Sequence, residues 1–274
     1  MKNNIKIQSS RIMNYIYPII GFILFIIIWA LVSCFLGNTR MPSPWLVVNR
    51  FFETAVYSPE IRFQGAGSNG FLPHVFFTMV RYIVGTMSGM VLAFISLLFV
   101  ARWSTFRDMF VPIINILRAI PPLGLAPFFL LWFGTTPYAI IGIVVFYSFV
   151  MVFVPGVEAI IRIDPVQVNF AKTLGAKKTN ITLEVVMPSI LPALAGPVKV
   201  AFNWSWGLVI VGELLGARSG IGRILSAFVA LTATDLVVVG IIWILLLAVI
   251  SEKIVELIVK ETLKWAVSES NEKI

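Results

Sequence analysis

Residues 163–180 read IDPVQVNFAKTLGAKKTN, a polar and basic segment inside a chain that is 59% hydrophobic. The segment contains signals for both ends of a helix. Asp164 can accept hydrogen bonds from the first free N–H groups, and Pro165 suits the first helical position, where a missing N–H has no cost. Gly175 fits the left-handed position that follows a helix end. The segment therefore predicts a helix over residues 165–174.

This predicted helix carries one apolar stripe. Val166, Phe170 and Leu174 recur every four residues, which places them on one face. A second helix is predicted over residues 177–186, ending before Pro188, so that the two helices form a short amphipathic pair. Because an apolar stripe outside the bilayer must be buried, two alternatives stay open. The stripe lies on the membrane or the chain's own spans, or it docks into a groove of a partner protein.

The rest of the composition is typical of a membrane protein. Mean hydropathy is +0.95 and only 12% of the 274 residues are charged, whereas soluble domains carry about 25%. Apolar runs long enough to cross a bilayer recur along the chain. We therefore predict an all-α, polytopic membrane protein with about six transmembrane helices in a domain over residues 15–258. The predicted spans are residues 15–36, 73–100, 109–133, 137–157, 190–215 and 236–258.

The distribution of lysine and arginine predicts which segments face the cytoplasm. With both termini inside, thirteen Lys and Arg residues lie in cytoplasmic segments and five lie outside, in agreement with the positive-inside rule. The tails at residues 1–14 and 259–274 and the loop at 159–189 are then cytoplasmic, whereas the loop at 37–72 is periplasmic. The amphipathic helix pair is thus predicted on the cytoplasmic side.

Several classes of function are disfavoured by what the sequence lacks. No GxxxxGK[ST] P-loop and no HExxH zinc motif occur. Cys34 is the only cysteine, and His74, expected at the outer interface of the second span, is the only histidine. We therefore expect no disulfide, no metal site and no cofactor, and a membrane-embedded enzyme is disfavoured. The net charge of +8 reflects the cytoplasmic lysines and arginines, and no nucleic-acid binding is predicted.

The cytoplasmic loop resembles a motif of the permease subunits of bacterial ATP-binding-cassette (ABC) importers. That motif is EAA, three residues, Gly, nine residues, then I-x-L-P. Here Asn169-Phe170-Ala171, Gly175 and the segment VVMP that ends at Pro188 stand at the same spacing. Asn replaces the Glu, Phe replaces the first Ala, and Val and Met replace the Ile and the Leu.

Four further segments resemble the nitrate, sulfonate and taurine branch of this family. They stand in the expected order and extend the resemblance over nearly the whole chain. These segments are MPSPWLVVNRF at 41–51, LRAIPPLGLAPFFLLWFG at 117–134, GELLGARSGIGRIL at 212–225 and TDLVVVGII at 234–242.

The resemblance implies a type I importer permease in a bacterial inner membrane, which forms the path for a small anion such as an alkanesulfonate, taurine or nitrate. Two cytoplasmic ATP-binding subunits would hydrolyse ATP, so that this chain is not itself an enzyme. A periplasmic or lipid-anchored substrate-binding protein would deliver the substrate, and a second permease copy would complete a homodimer. The ATPase-coupling residues that the resemblance implies are Asn169, Phe170, Ala171, Leu174, Gly175 and Pro188.

Prolines interrupt the predicted third span. Pro121 and Pro122 leave backbone carbonyls that neighbouring groups must satisfy, which fits either a packing kink or a broken segment lining the translocation path. A secondary transporter or channel that acts without an ATPase is the alternative function. It would predict paired breaks in two repeated halves, whereas the sequence has one clear break and no internal repeat.

Four charged residues are predicted within or near the spans, namely Arg81, Arg118, Lys199 and Glu213, where charges are costly and usually face a cavity or a partner. Arg81 and Arg118 are candidates for attracting an anionic substrate in the translocation path. Glu213 is a candidate partner for a buried base, or a gate in the same path. Gly85 and Gly89 have the GxxxG spacing of closely packed membrane helices.

Overall fold

The protein is built from helices. The computed structural model describes residues 2–63 and 70–265; helices make up 86% of the structure, and no strand occurs among these residues. The predicted all-α class is therefore confirmed. In chain order the helices are α1 (Lys2–Leu36), α2 (Pro44–Val56), α3 (Pro59–Phe63), α4 (Phe71–Arg102), α5 (Ser104–Leu117), α6 (Ala126–Phe133), α7 (Pro137–Ile161), α8 (Pro165–Thr173), α9 (Lys178–Asn180), α10 (Met187–Leu214), α11 (Ile221–Ala230) and α12 (Thr234–Thr262).

Five helical segments of the described chain are long and apolar enough to cross a membrane. A sixth candidate is a bent helix pair, so that the prediction of about six spans is confirmed. Many large apolar side chains lie on the outside of the bundle, as expected where lipid is the solvent. The five unbroken candidates are Ile16–Leu36, Phe71–Arg102, Pro137–Ile161, Lys178–Leu214 and Thr234–Thr262.

Helix α7 lies at the centre of the bundle, between α4 and α10. It is the most buried of the candidate spans, whereas α1 is almost entirely exposed and lies at the periphery. Two apolar clusters fill the contacts of the central helices, one around Leu97 and Phe153 and one around Tyr82 and Trp206. The rings of Tyr82 and Trp206 stack with their centroids 4.2 Å apart.

Helices α4 and α7 approach each other closely because α4 presents two glycines. A Cβ atom on Gly85 would lie 2.8 Å from the Val144 side chain, and one on Gly89 would lie 2.5 Å from the Val145 carbonyl oxygen. Any larger residue would therefore force the two helices apart. The predicted GxxxG packing is confirmed, and its partner is the central helix.

The predicted third span, residues 109–133, is broken and not continuous. Helix α5 ends at Leu117, and a 3₁₀ turn over Pro122–Leu125 leads into α6. The segment Pro122–Phe133 makes an angle of 89° with α5. Pro121 adopts an extended conformation, with φ −60° and ψ 123°, as expected of a residue that precedes a proline. The two prolines thus produce a full break and not a slight kink.

The predicted periplasmic segment at residues 37–72 contains the short helices α2 and α3. The Ser43 hydroxyl caps α2, and Arg50 pairs with Asp235 at the start of α12, with Nε and Oδ2 3.2 Å apart. Both helices cover a third apolar cluster that includes Phe71. This end of the bundle is therefore closed by short helices that pack on α11 and α12.

Parts of the predicted terminal and loop segments lie outside the described residues. These parts are residue 1, residues 64–69 and residues 266–274. The remainder of the predicted N-terminal tail, residues 2–14, is helical and continuous with the first span.

Candidate functional site

Helix α8 forms where the sequence predicts it. The Asp164 carboxylate accepts a hydrogen bond from the Val166 N–H at 2.9 Å, which caps the helix. At the other end, Gly175 has a φ of +79°, and the Ala176 N–H donates to the Ala171 carbonyl at 3.1 Å. A Cβ on Gly175 would meet no atom within 4 Å, so glycine is required here by its left-handed backbone alone.

The second helix of the predicted pair differs from the prediction. Helix α9 passes into a π-helical segment over Ile181–Val186 and then into α10 without interruption. The Met187 N–H donates to the Thr182 carbonyl, five residues earlier. Pro188 therefore lies in the first turn of α10, where its missing N–H is tolerated. The expectation that the helix ends before Pro188 was wrong, and the loop continues directly into the span.

The apolar side chains of α8 point away from the rest of the chain. Val166, Phe170 and Leu174 are 68%, 64% and 72% exposed; we call these three residues the α8 stripe. Asn169 is also exposed, whereas Ala171 is partly covered. Among the described residues nothing buries the stripe, so that packing against the chain's own spans is not observed.

A cluster of buried polar residues ties α4 to the turn between α10 and α11. Glu213 is fully buried and accepts hydrogen bonds from the Arg81 guanidinium, from the Thr78 hydroxyl at 3.0 Å and from a backbone N–H at 2.9 Å. Arg81 also donates to the Ser219 carbonyl at 2.7 Å and the Ser219 hydroxyl at 2.8 Å. His74 completes the set, which we call the buried charge cluster: His74, Thr78, Arg81, Glu213 and Ser219.

Two glycines in the GELLGARSGIG segment make room for this cluster. A Cβ on Gly220 would collide with the Glu213 carboxylate, and Gly220 also has a φ of +111°. A Cβ on Gly222 would lie 2.7 Å from the Glu213 Cβ. The spacing of glycines in this segment therefore follows from the close approach of the turn to a buried carboxylate.

Two residues of the buried charge cluster, Glu213 and His74, are the subject of predictions from the sequence. Glu213 does pair with a buried base, Arg81, and the side chains of both residues form their hydrogen bonds within the protein. Their roles in the translocation path stay a prediction. His74 is fully buried, and its Nδ1 accepts a hydrogen bond from the Gly220 N–H at 3.0 Å; its position at the outer interface stays a prediction.

An apolar groove runs beside the break between α5 and α6. It consists of two adjoining cavities of about 510 Å³ each, bounded by the break, α7 and α10. Both predicted prolines, Pro121 and Pro122, lie in its wall. The residues that line both cavities are Pro122, Tyr147, Met151 and Val200.

Arg118 lines the first of these cavities. Its side chain is 52% exposed, and its Nη1 lies 3.9 Å from Oε1 of Glu158. The other oxygen of Glu158 lies 3.7 Å from Nη2 of Arg162. Exposed pairs of this kind hold their partners weakly, so the Arg118 guanidinium can exchange its carboxylate partner for another anion.

Comparisons with known proteins agree with the helical architecture. The model of the family described as binding-protein-dependent transport system inner membrane component matches residues 85–264. In fold, the chain is similar to a chain of the MetNI methionine ABC transporter in an inward-facing conformation. That similarity has a TM-score of 0.57 and 20% sequence identity, and it covers 69% of this chain and 94% of the other.

Three curated proteins illustrate the sequence similarity. The taurine transport system permease protein TauC of Escherichia coli is 27% identical over 198 residues, which is 68% of this chain and 70% of that protein. The putative aliphatic sulfonates transport permease protein SsuC of Escherichia coli is 31% identical over 152 residues, covering 56% and 58%. The nitrate import permease protein NrtB of Synechococcus elongatus is 23% identical over 221 residues, covering 79% and 77%.

Proposed function

Because the chain belongs to the family of binding-protein-dependent transport system inner membrane components, as an ABC importer permease of the taurine, sulfonate and nitrate branch, we propose that it passes a small anion through the membrane under the drive of a separate ATP-binding subunit. The α8 stripe is the observation that carries this proposal. It is a capped helix that offers three apolar side chains, at the end of the bundle that the charge distribution assigns to the cytoplasm.

The α8 stripe has the properties of a docking element. Fully burying an apolar side chain of this size contributes about 1.5–3 kcal/mol, so three such residues can hold a helix in a groove of another protein. Beyond the Gly175 turn, the chain continues through the π-helical segment into α10 as one helical segment, Lys178–Leu214. A displacement of α8 would therefore be carried into α10, which borders the apolar groove.

An oxyanion is the class of substrate that we propose. The relatives described above are named for taurine, aliphatic sulfonates and nitrate, each of which carries an anionic oxygen group. Arg118 is the predicted path residue whose cation stays accessible, because Arg81 is bound by Glu213. We therefore propose Arg118 as the basic side chain that attracts the anion.

The open groove supports an assembly with more than one permease. Its walls are formed by the break, α7 and α10, and the described residues leave it partly open. We propose that a second copy of this chain closes the groove in a homodimer, with one ATP-binding subunit on each α8 stripe. A substrate-binding protein would then dock on the periplasmic side, where α2 and α3 close the bundle.

Uptake into proteoliposomes tests the proposed function. The chain is reconstituted with its ATP-binding subunit and binding protein, and internalised taurine, alkanesulfonate or nitrate is measured. We expect uptake of one of these anions with ATP and the ATP-binding subunit, and background uptake when that subunit is omitted. Uptake at the full rate without it would support the alternative, a secondary transporter or channel.

Cysteine labelling tests whether the groove is part of the path. In a Cys34→Ser background, Ile120→Cys and Leu123→Cys should react with a water-soluble thiol reagent, and substrate should slow the reaction. Leu131→Cys is the matched control, because Leu131 is 83% exposed on α6 and lines neither cavity. If the groove positions are as inert as the control, the groove does not carry substrate.

A further inference from the structure

A small pocket with a basic rim lies between α8 and the body of the bundle. It has a volume of about 280 Å³ and is bounded by the ends of α4 and α7, by α8 and by the π-helical segment. Arg102, Lys172 and Lys178 supply its charged groups, and Ile163 and Ile181 lie in its apolar wall. We call it the basic pocket.

The three cations come from three different helices and have no acidic partner in the part of the chain that the structure describes. No Asp or Glu lines the basic pocket, and none of the three cations is within 4.0 Å of a carboxylate of the described residues. Their polar contacts are weak: the Arg102 guanidinium lies 5.4 Å from the centre of the Trp103 ring, and the Lys172 Nζ donates to Asn169 Oδ1 at 3.5 Å. An anion in the pocket would relieve the mutual repulsion of these charges.

The position of Arg102 sets the depth of the basic pocket in the membrane. Arg102 is the last residue of a candidate span, and Trp103 follows it with its ring stacked on Phe99 at 5.4 Å. Tryptophan at the end of a span is typical of the membrane–water interface. We therefore expect the cations of the basic pocket at the depth of lipid headgroups, where Ile163 and Ile181 offer contacts for an acyl chain.

Helix α8 uses opposite faces for the stripe and for the basic pocket. Residues along an α-helix are rotated by 100° each, so Val168 and Lys172 lie about 180° from the centre of the α8 stripe. Both line the basic pocket. An occupant of the pocket would therefore contact α4 and α8 at once and leave the stripe free.

We propose that the basic pocket binds the phosphate headgroup of an anionic phospholipid from the cytoplasmic leaflet and so holds α8 against the end of α4. Basic pockets between membrane helices on the cytoplasmic side suit such headgroups. The apolar wall makes a lipid a better fit than free phosphate. The proposal rests on the cytoplasmic position of α8, and it is independent of the transported anion and of the ATP-binding subunit.

Lipid titration of the purified full-length chain tests the site. Bound lipid is counted by native mass spectrometry in a neutral detergent, with phosphatidylglycerol or phosphatidylcholine added. We expect one tightly bound phosphatidylglycerol, and binding about thirtyfold weaker in Lys172→Gln/Lys178→Gln, because each of the two basic residues adds about 1 kcal/mol of attraction and about 1.4 kcal/mol corresponds to a tenfold change. Both lysines are exposed, so folding should be unaffected.

A charge-matched variant separates a specific site from general attraction. Lys177→Gln/Lys260→Gln removes the same charge from exposed residues outside the pocket and should bind like the unmodified chain. Equal affinity in the pocket variant and the unmodified chain, or equal weakening in both variants, would overturn the proposal. Displacement of the lipid by glycerol 3-phosphate at similar concentration would assign the site to a free phosphate. Because transport is not read out, failure here leaves the proposed function untouched.

Discussion

Replacing Glu213 by glutamine lowers the free energy of unfolding by about 3–5 kcal/mol, because removal of one partner leaves the other charge buried without compensation. The remaining charge is Arg81, whose side chain is only 5% exposed. The backbone and hydroxyl donors to Glu213 would also lose a charged acceptor, and hydrogen bonds to charged groups contribute more than neutral ones. Thermal unfolding of the purified chain in detergent measures the effect.

The matched control is Glu158→Gln. It makes the same chemical change at an exposed carboxylate whose two arginine partners are 52% and 80% exposed, where a pair contributes about 0–1 kcal/mol. An unfolding temperature of Glu213→Gln equal to that of this control would show that the buried charge cluster does not stabilise the fold.

A double variant distinguishes a charge effect from a packing effect. In Arg81→Met/Glu213→Met no charge remains buried, and apolar replacement of a buried pair is often neutral. We expect the double variant to be more stable than either single variant. If the losses of the single variants simply add, the two side chains act independently and the ion pair is not the cause.

The second large effect is expected on binding of the ATP-binding subunit, when the exposed α8 stripe is altered. Phe170→Asp should weaken binding of the ATP-binding subunit by about 3 kcal/mol, or roughly a hundredfold. It removes an apolar anchor and places a carboxylate where an apolar groove is expected, which carries a further desolvation cost. Because Phe170 is 64% exposed in the isolated chain, expression and folding should be retained. Co-purification of the ATP-binding subunit with tagged chain measures the loss.

Phe63→Asp is the control for that experiment. Phe63 is 86% exposed at the end of α3, on the side assigned to the periplasm, and it should not touch the cytoplasmic subunit. Co-purification should therefore be normal with Phe63→Asp and lost with Phe170→Asp. Loss of co-purification with both variants would indicate a general folding defect. Normal co-purification with both would show that the α8 stripe is not part of the interface.

Features set by neighbouring residues in the chain were predictable from the sequence. The start of α8 depends on Asp164 and Pro165, and its end on Gly175, and all three act within one or two turns of their own position. The break at Pro121 and Pro122 is equally local, because a proline restricts the residue before it. The apolar runs were recognisable because lipid demands a continuous apolar surface.

Contacts between residues that are far apart in the sequence could not be predicted, although some of the residues that make them were identified. Thr78 and Glu213 are 135 residues apart in sequence, and no pattern indicated that they would bond. One local signal was available: His74, Thr78 and Arg81 are spaced by four and three residues, which places all three on one face of α4. That polar face within an apolar helix would have indicated a buried partner.

The error at Pro188 has a different cause. The sequence predicts that the second loop helix ends before Pro188, since proline removes a hydrogen-bond donor from a helix interior. The π-helical segment before it changes the hydrogen-bond register, so that Pro188 falls in a first turn and the helix continues. Such a change of register depends on how the loop packs on α8 and α10, which the sequence alone does not reveal.

Photo-crosslinking from the two faces of α8 tests the central claim most directly. A photoreactive residue is placed at Phe170, on the α8 stripe, or at Val168, on the opposite face, in the reconstituted transporter. We predict an adduct with the ATP-binding subunit from position 170 and none from position 168. An adduct from position 168 alone, or no adduct from position 170 in a complex that imports its substrate, would contradict the account.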